Sequence, residues 1–370
     1  MVRRFSFGLV LLLGTVGCRP ARMGAFPDRE ARLEKAVHAT VTARSAPEAE
    51  FTTVTGLAAD SRGRIYAGDW MRQRVTVISP GGRVLGVIGR NGAGPGEFRS
   101  IRGLQAIPGD TILVYDPELA RVTFLTADPL RVGRVLTLPR LRGDAPFFLW
   151  RLVDGGFVGL FRSGFMFNSS GSFRPRRDSV ALLAPDGSPR ALIARVPARG
   201  YLVARTSITP NPFGREPLAR VDGRGRVHYV WTDSLAVRTY DGSGRPVSSF
   251  SIPYHPPPVT DAEARAELEA MGDWGRRTFQ RALSDSVPRT WPAVREMLVD
   301  DADRLWMALP GPRDTPREWA VFTSGGRYMR SVLVPEGVTL WAVRSARLYG
   351  ERKDDDDVPA IVVLTLDRPL

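Results

Sequence analysis

Residues 53–98 read TVTGLAADSRGRIYAGDWMRQRVTVISPGGRVLGVIGRNGAGPGEF. Val, Ile, Tyr and Thr crowd into four short runs, 54–59, 64–68, 74–79 and 84–89, as a pleated, half-buried surface prefers. Turn residues separate them at 60–63, 69–73 and 80–82. Leu57, Ile65, Asp69, Arg74 and Val77 then recur as Leu104, Ile112, Asp116, Arg121 and Phe124, each 47 positions on. A four-stranded unit returning at that period is the mark of a propeller blade, which cannot bury its hydrophobic faces alone and stacks on its neighbours.

Working outward, the second unit spans 101–138. Later runs give a third (149–153, 156–161, 180–184, 191–194), a fourth (218–221, 226–231, 236–240, 247–252) and a fifth (294–299, 304–308, 319–323, 328–334). The last offers three strands, 339–343, 347–351 and 360–366, while 37–43 alternates like a stray strand ahead of the first unit. A spare strand at one end and a missing one at the other predict an all-β, six-bladed β-propeller over 51–370, closed by the N-terminal strand. One segment breaks the pattern. After Pro256, Pro257 and Pro258, the sequence Thr260-Asp-Ala-Glu263 is a capping box, so 260–287 is expected to be a small helical insertion between blades four and five. A cover on the propeller, a docking surface and a lid are its alternative roles.

The formal charge is +13, but Lys occurs only at Lys35 and Lys353 and the Arg residues are dispersed along the chain. Phosphate backbones call for a stripe or patch, so nucleic acid is not expected as a partner. Residues 1–17 combine basic Arg3 and Arg4 with an apolar run, 5–16, too short to span a bilayer: a signal peptide. Thr15-Val-Gly-Cys18 resembles a bacterial lipobox, which makes Cys18, the only cysteine, the expected lipidation site. Residues 18–50 then read as a tether holding a monomer at the membrane. Arg19, where inner-membrane retention favours Asp, points to the periplasmic face of an outer membrane.

The run Gly-Ala-Gly-Pro-Gly-Glu-Phe at 92–98, followed by Gly103-Leu104, Ile112-Leu-Val, Asp116 and Arg121, resembles NHL-repeat propellers. With the lipobox and the late helical insertion, the chain resembles bacterial six-bladed propeller lipoproteins of unassigned function. The resemblance is specific over 54–125, recognisable over 217–252 and 293–334, and weak over 149–200. It implies a fold that serves binding scaffolds as well as lyases and lactonases using a metal on one face.

Candidate chemistry is sparse. The glycine loop leads into a strand, not a helix, so it reads as a stiff crossover with Phe98 plugged into the core rather than a phosphate cradle. Asp69/Arg74, Asp116/Arg121 and Asp233/Arg238 share a spacing of five and recur between units, so they read as architecture: Asp accepting turn N–H groups, Arg pairing with a carboxylate. His38, His228 and His255 lack metal-site spacing, and 354–357 reads as a solvated hairpin tip. No cofactor or metal is expected. The channel mouth remains, where Arg102 and Arg295 hold equivalent positions and Trp150 and Trp341 lie near the same level. A cationic, aromatic-rimmed mouth suits an anionic glycan, a peptide or an envelope protein. A non-catalytic binding scaffold at the cell envelope is therefore expected, the alternative being a metal-assisted lyase or hydrolase at the same mouth. Topology places the 92–98 crossover and the insertion on one face.

Overall fold

A carboxylate at the end of an innermost strand organises the following turn. The Asp60 side chain accepts from the Arg62 and Arg64 amides, from Arg64 Nε at 2.6 Å and from the Tyr66 hydroxyl. Asp222 does the same for the Arg224 and Arg226 amides, Arg226 Nε and His228 Nε2. Asp300 serves the Ala302 and Arg304 amides, Arg304 Nε and Trp306 Nε1. The pattern is Asp-x-x-x-Arg-x-ring, and each Asp side chain is fully buried. Burying a carboxylate is tolerable because every lone pair is met by a donor.

The computed structural model describes residues 26–141, 143–162, 177–198, 201–204, 207–270, 290–312, 315–354 and 356–370. Helix α1 (Arg29–Glu34) and strand β1 (Val37–Arg44) open it. Four antiparallel sheets have sequential strand order. They are β2–β5 (Val54–Ala59, Ile65–Asp69, Arg74–Ile78, Val84–Ile88) and β6–β9 (Gly103–Ile107, Thr111–Asp116, Arg121–Ala127, Leu130–Thr137). The others are β10–β13 (Phe148–Arg151, Phe157–Phe161, Arg177–Leu183, Pro189–Pro197) and β16–β19 (Pro217–Val221, Val227–Trp231, Ala236–Tyr240, Pro246–Ser251). A hairpin unforeseen in the sequence, β14 (Tyr201–Ala204) with β15 (Ser207–Pro210), lies between these last two in the chain.

An eight-stranded sheet holds β20–β23 (Glu296–Val299, Leu305–Ala308, Arg317–Phe322, Tyr328–Val334), then β1, then β26 (Pro359–Leu366), β25 (Arg347–Lys353) and β24 (Val338–Arg344). First strands touch in a closed cycle, β2 to β6, β10, β16, β20, β24 and back to β2. Sheets radiating from a ring of first strands make the fold a β-propeller. Between neighbouring sheets lie separate apolar clusters; Tyr66, Val75 and Phe98, for example, pack on Ile112, Val114 and Leu125.

Of residues 18–50, expected as a tether with a closing strand at 37–43, that strand is present as β1, and the residues on either side of it from 26 to 50 are packed into the body as well. Val37 and His38 run parallel to Val332 and Leu333 of β23, and 39–44 pairs antiparallel with β26. Ahead of β1, Phe26 meets Phe322 and Tyr328 at ring distances of 5.8 and 5.1 Å. Arg32 Nε donates to Glu318 at 2.7 Å, both side chains under one-tenth exposed, and Ser331 donates to the same carboxylate. A tether must be solvated along its length; this one carries apolar and ionic anchors that only the folded partner reveals.

The Asp/Arg pairs clamp crossovers. Asp69 accepts from the Thr52 amide at 2.7 Å and Asp116 from the Arg99 amide at 2.7 Å, each also binding its own turn. Arg74 and Arg121 do not pair with carboxylates as expected. Arg74 donates to the Ala49 and Glu50 carbonyls, Arg121 to those of Ala93 and Glu97. Asp233 and Arg238 are not a third copy, since both are exposed. Counting from Asp222 as from Asp60, the place of Asp69 falls on Trp231, two residues earlier. Thr232 Oγ1 accepts from the Glu216 amide there instead.

At Gly89, φ is +111° and a Cβ would sit 2.8 Å from the Phe98 ring, so the crossover's entrance admits only glycine. Crossovers and second-to-third turns share one face. On the other, the first turns are stapled between sheets by Asp110 to the Ser61 amide (2.8 Å), Asp303 to Gly223 (2.7 Å) and Asp301 to Ser345 (2.8 Å). Helix α2 (Asp261–Glu269) carries the expected capping box, with Thr260 and Glu263 exchanging bonds of 2.9 and 3.2 Å. The rest of the expected insertion, 271–287, lies outside the described residues, as do Cys18 and the signal sequence. Among the described residues, no helix is long and apolar enough to cross a membrane.

Candidate functional site

Each crossover ends at an innermost strand, so the residue that opens the strand stands at the rim of the axial channel. Arg102 is such a residue. Its guanidinium lies 5.4 Å from the Trp70 ring centroid and 5.1 Å from that of Phe147. Among the described residues its side chain has no hydrogen-bond or ion-pair partner. Burial holds its pKa below the ordinary value, and Glu118 opposes that only from a distance. A guanidinium flanked by rings is attracted by their faces while its N–H edge stays open to an acceptor.

From Arg102 the rim continues as an alternating belt. Arg162 lies 4.5 Å from Phe147 and 5.4 Å from Phe148 and pairs with Glu216 at 2.9 Å. Phe147 and Phe148 meet edge to face at 4.9 Å, and Phe148 leans on Trp150 at 6.0 Å. Arg220, from β16, covers Trp150 at 5.2 Å. Arg102 and Trp150 therefore share one belt.

Arg295 and Trp341 do not join it. Arg295 stacks on Trp291 at 4.8 Å and donates to Glu267 of α2 at 3.2 Å, so it holds the insertion down. Trp341 packs against the apolar cluster between β2–β5 and β24–β26. Its Nε1 is buried without a hydrogen-bond partner, and burial pushes the Glu351 carboxyl above its ordinary value.

The sequence reading missed Arg220, Glu296 and Gln105. Gln105 ties β6 to β10, accepting from the Arg151 amide at 2.8 Å and donating to its carbonyl at 3.4 Å. Glu296 opens β20 and is exposed to solvent, yet protein surrounds its carboxyl closely enough for desolvation to raise its pKa against the pull of Arg295, Arg317 and Arg220. Solvent access within an enclosure is the condition of a group facing the channel. One signal existed: charge on an innermost strand whose counterparts, Gly56 and Gly103, carry no side chain.

The opposite face has a cavity of about 400 Å³ lined by Ser61, Ala106, Pro108, Asp110 and Arg344. Asp110 already binds Ser61 there, and Arg344 the Ala59 carbonyl.

Among the described residues, no three His, Cys, Asp or Glu side chains gather as a metal site. His228 is buried between Asp222 Oδ2 and Thr239 Oγ1, both at 3.0 Å. Burial pushes the Asp222 carboxyl up, but bonds from His228 and Arg226 outweigh it and hold the carboxyl below the ordinary value. A depressed carboxylate stabilises the fold above its unfolded value and loses that contribution as pH falls through its folded one. Asp222→Asn should therefore destabilise the protein at pH 7, with the difference from wild type closing below about pH 4. Urea melts at pH 7, 5 and 3 check this; a pH-independent difference would contradict it.

The chain matches no protein-family profile and no curated protein. It is similar to solved structures. A protein of Bacteroides fragilis assigned as exported is 12% identical, with 94% of this chain and 99% of that one covered, at a TM-score of 0.53. A member of the DUF4221 family from Bacteroides vulgatus is 9% identical, covering 90% and 99%, at 0.54. A gluconolactonase of Xanthomonas campestris is 18% identical, covering 86% and 87%, at 0.46. The first two likenesses concern the fold alone.

Proposed function

We propose that the chain is an exported, lipid-anchored, six-bladed propeller that binds an anionic ligand at its crossover-face mouth and does no chemistry on it. The blade count follows from taking β24–β26 with β1 as one blade beside β20–β23 and the four separate sheets. Export and anchoring rest on 1–17 and Cys18; the periplasmic face of an outer membrane is the compartment. Arg102 carries the binding reading: a cation flanked by Trp70 and Phe147 with its donors unspent. A ligand bearing carboxylate or sulfate beside an apolar ring face, such as an acidic glycan, satisfies both features. Acidic peptides and the acidic surface of an envelope protein share the first.

The test is titration of the purified protein with uronate oligosaccharides and their neutral counterparts. The acidic series should bind and weaken with added salt, and Arg102→Glu should lower affinity by more than about ten-fold. Cys18→Ser should move the protein from the membrane to the soluble fraction. Equal binding of neutral and acidic forms, or wild-type affinity in Arg102→Glu, would refute the binding site; membrane retention of Cys18→Ser would refute the anchor.

A further inference from the structure

The belt that begins at Arg102 does not stay at the mouth. First strands run from the crossover face towards the turns held by Asp60, Asp222 and Asp300, so distance in sequence from that aspartate measures depth. Arg102 matches Thr55 at the 47-residue return, five residues before Asp60. Arg220 lies two residues before Asp222. The difference is three strand residues, roughly 10 Å along the channel. Gln105 fixes the level between them: its bond to the Arg151 amide sets Phe148 beside Arg102 and Trp150 two residues deeper.

Every step of that descent is a contact. Arg102 stacks on Phe147, Phe147 meets Phe148, Phe148 leans on Trp150, and Arg220 closes the series over Trp150 at 5.2 Å. The two end cations both keep donors to spare. Arg220 spends Nη1 on the Ala219 carbonyl at 2.8 Å; its other nitrogens have no partner among the described residues, and the side chain is partly exposed. The Glu216 carboxylate is taken by Arg162 at 2.9 Å, and Glu296, which opens β20, makes no ion pair with Arg220 either. A guanidinium held against a ring, with its N–H edge unspent, repeats at the inner end of the belt what Arg102 offers at the outer end.

We propose that Arg220 and Trp150 form a second, inner subsite, and that the ligand is an acidic oligosaccharide entering the channel end-on. One acidic group sits on Arg102 and another on Arg220, with the sugar rings between them against the Phe147, Phe148 and Trp150 side chains. A single acidic sugar is too short to reach both cations; an oligomer carries a charge on every unit and an apolar ring face between charges. The inner subsite rests on the acidic-glycan reading of the mouth and adds to it a minimum ligand length and a direction of entry.

The experiment is calorimetric titration of the full chain with galacturonate and its di-, tri- and longer oligomers, each beside its methyl-esterified, uncharged form. Short acidic members should bind through Arg102 with similar affinities. At the length that spans both cations, affinity should step up by at least about ten-fold, because the second charge-assisted contact is then intramolecular. Arg220→Gln should remove the step and leave the short members unchanged, whereas Arg102→Glu should weaken every length. Should Arg220→Gln fail to fold, the spanning oligomer esterified at both end units decides: it should bind wild type no better than the short members do. A step that persists in Arg220→Gln, no gain with length, a smooth rise that this variant does not alter, or equal losses for short and long members would each overturn the inner subsite. Short-member binding that depends on Arg102 would then leave the mouth reading standing, while no acidic binding at any length would overturn both.

Discussion

A chain that begins at residue 45 is expected to lose cooperative folding or to aggregate, measured against a chain that begins at residue 26. The deletion removes β1, which is hydrogen-bonded to β26 on one side and to β23 on the other. Both strands then present open backbone edges, the template on which sheets from other chains pair. Two anchors go with it, one buried and one partly buried. Glu318 loses Arg32, and an uncompensated buried charge costs roughly 3–5 kcal/mol. Phe322, Tyr328 and Tyr254 lose the partly buried Phe26 ring, a further loss of roughly 1.5–3 kcal/mol from the apolar area returned to water. Together these approach the whole stability of an ordinary domain, about 5–15 kcal/mol. Size-exclusion chromatography and a thermal melt monitored by circular dichroism report the result. A monomer melting within a few degrees of the reference would show that the ring does not depend on β1. Arg32→Ala in the intact chain separates the charge from the edges: it should destabilise without causing aggregation.

Asp300→Ala should be the most damaging single substitution outside that closure. One carboxylate accepts from the Ala302 amide at 3.0 Å, the Arg304 amide at 2.9 Å, Arg304 Nε at 2.6 Å and Trp306 Nε1 at 2.8 Å. Trp306 is fully buried, so its N–H has no water to turn to. The expected loss is roughly 3–5 kcal/mol, as for breaking a buried ion pair from one side. Trp306→Phe removes the orphaned donor with little change in shape, so Asp300→Ala with Trp306→Phe should cost less than the two changes summed. Urea denaturation of the four proteins measures the coupling. A loss in Asp300→Ala below about 1 kcal/mol, the level of an ordinary surface hydrogen bond, would mean that the turn is held by other contacts. Asp60→Ala is the internal comparison: its ring partner is the Tyr66 hydroxyl at 3.2 Å, a longer bond, and its effect should be smaller.

Strand positions and the all-β class were legible because they depend on near neighbours in sequence. Alternation with period two, glycine and aspartate at turns, and a 47-residue return act over distances the chain itself spans. The Thr260–Glu263 capping box was legible for the same reason: both partners lie within one helical turn. The Asp-x-x-x-Arg-x-ring motif is equally visible in the sequence at Asp60, Asp222 and Asp300, whereas the spacing of five at Asp233/Arg238 is a coincidence of composition in an Arg-rich chain.

Which way a side chain on an innermost strand faces was beyond sequence. Period two assigns a residue to one side of its sheet, but on a first strand the same side can meet the neighbouring sheet or open on the axis. Twist and ring closure choose between them. Thus Arg102 and Trp150 came to one belt, Trp341 to an apolar interface, and Arg295 to Glu267 across a gap of 28 residues. Glu296 and Arg220 carry no sequence mark of lying on adjacent first strands, being 76 positions apart. Local propensity settled what each strand is; the long-range electrostatics of the channel exist only once β16 and β20 stand side by side, because Coulomb interactions depend on separation in space and on the dielectric that the closed ring creates.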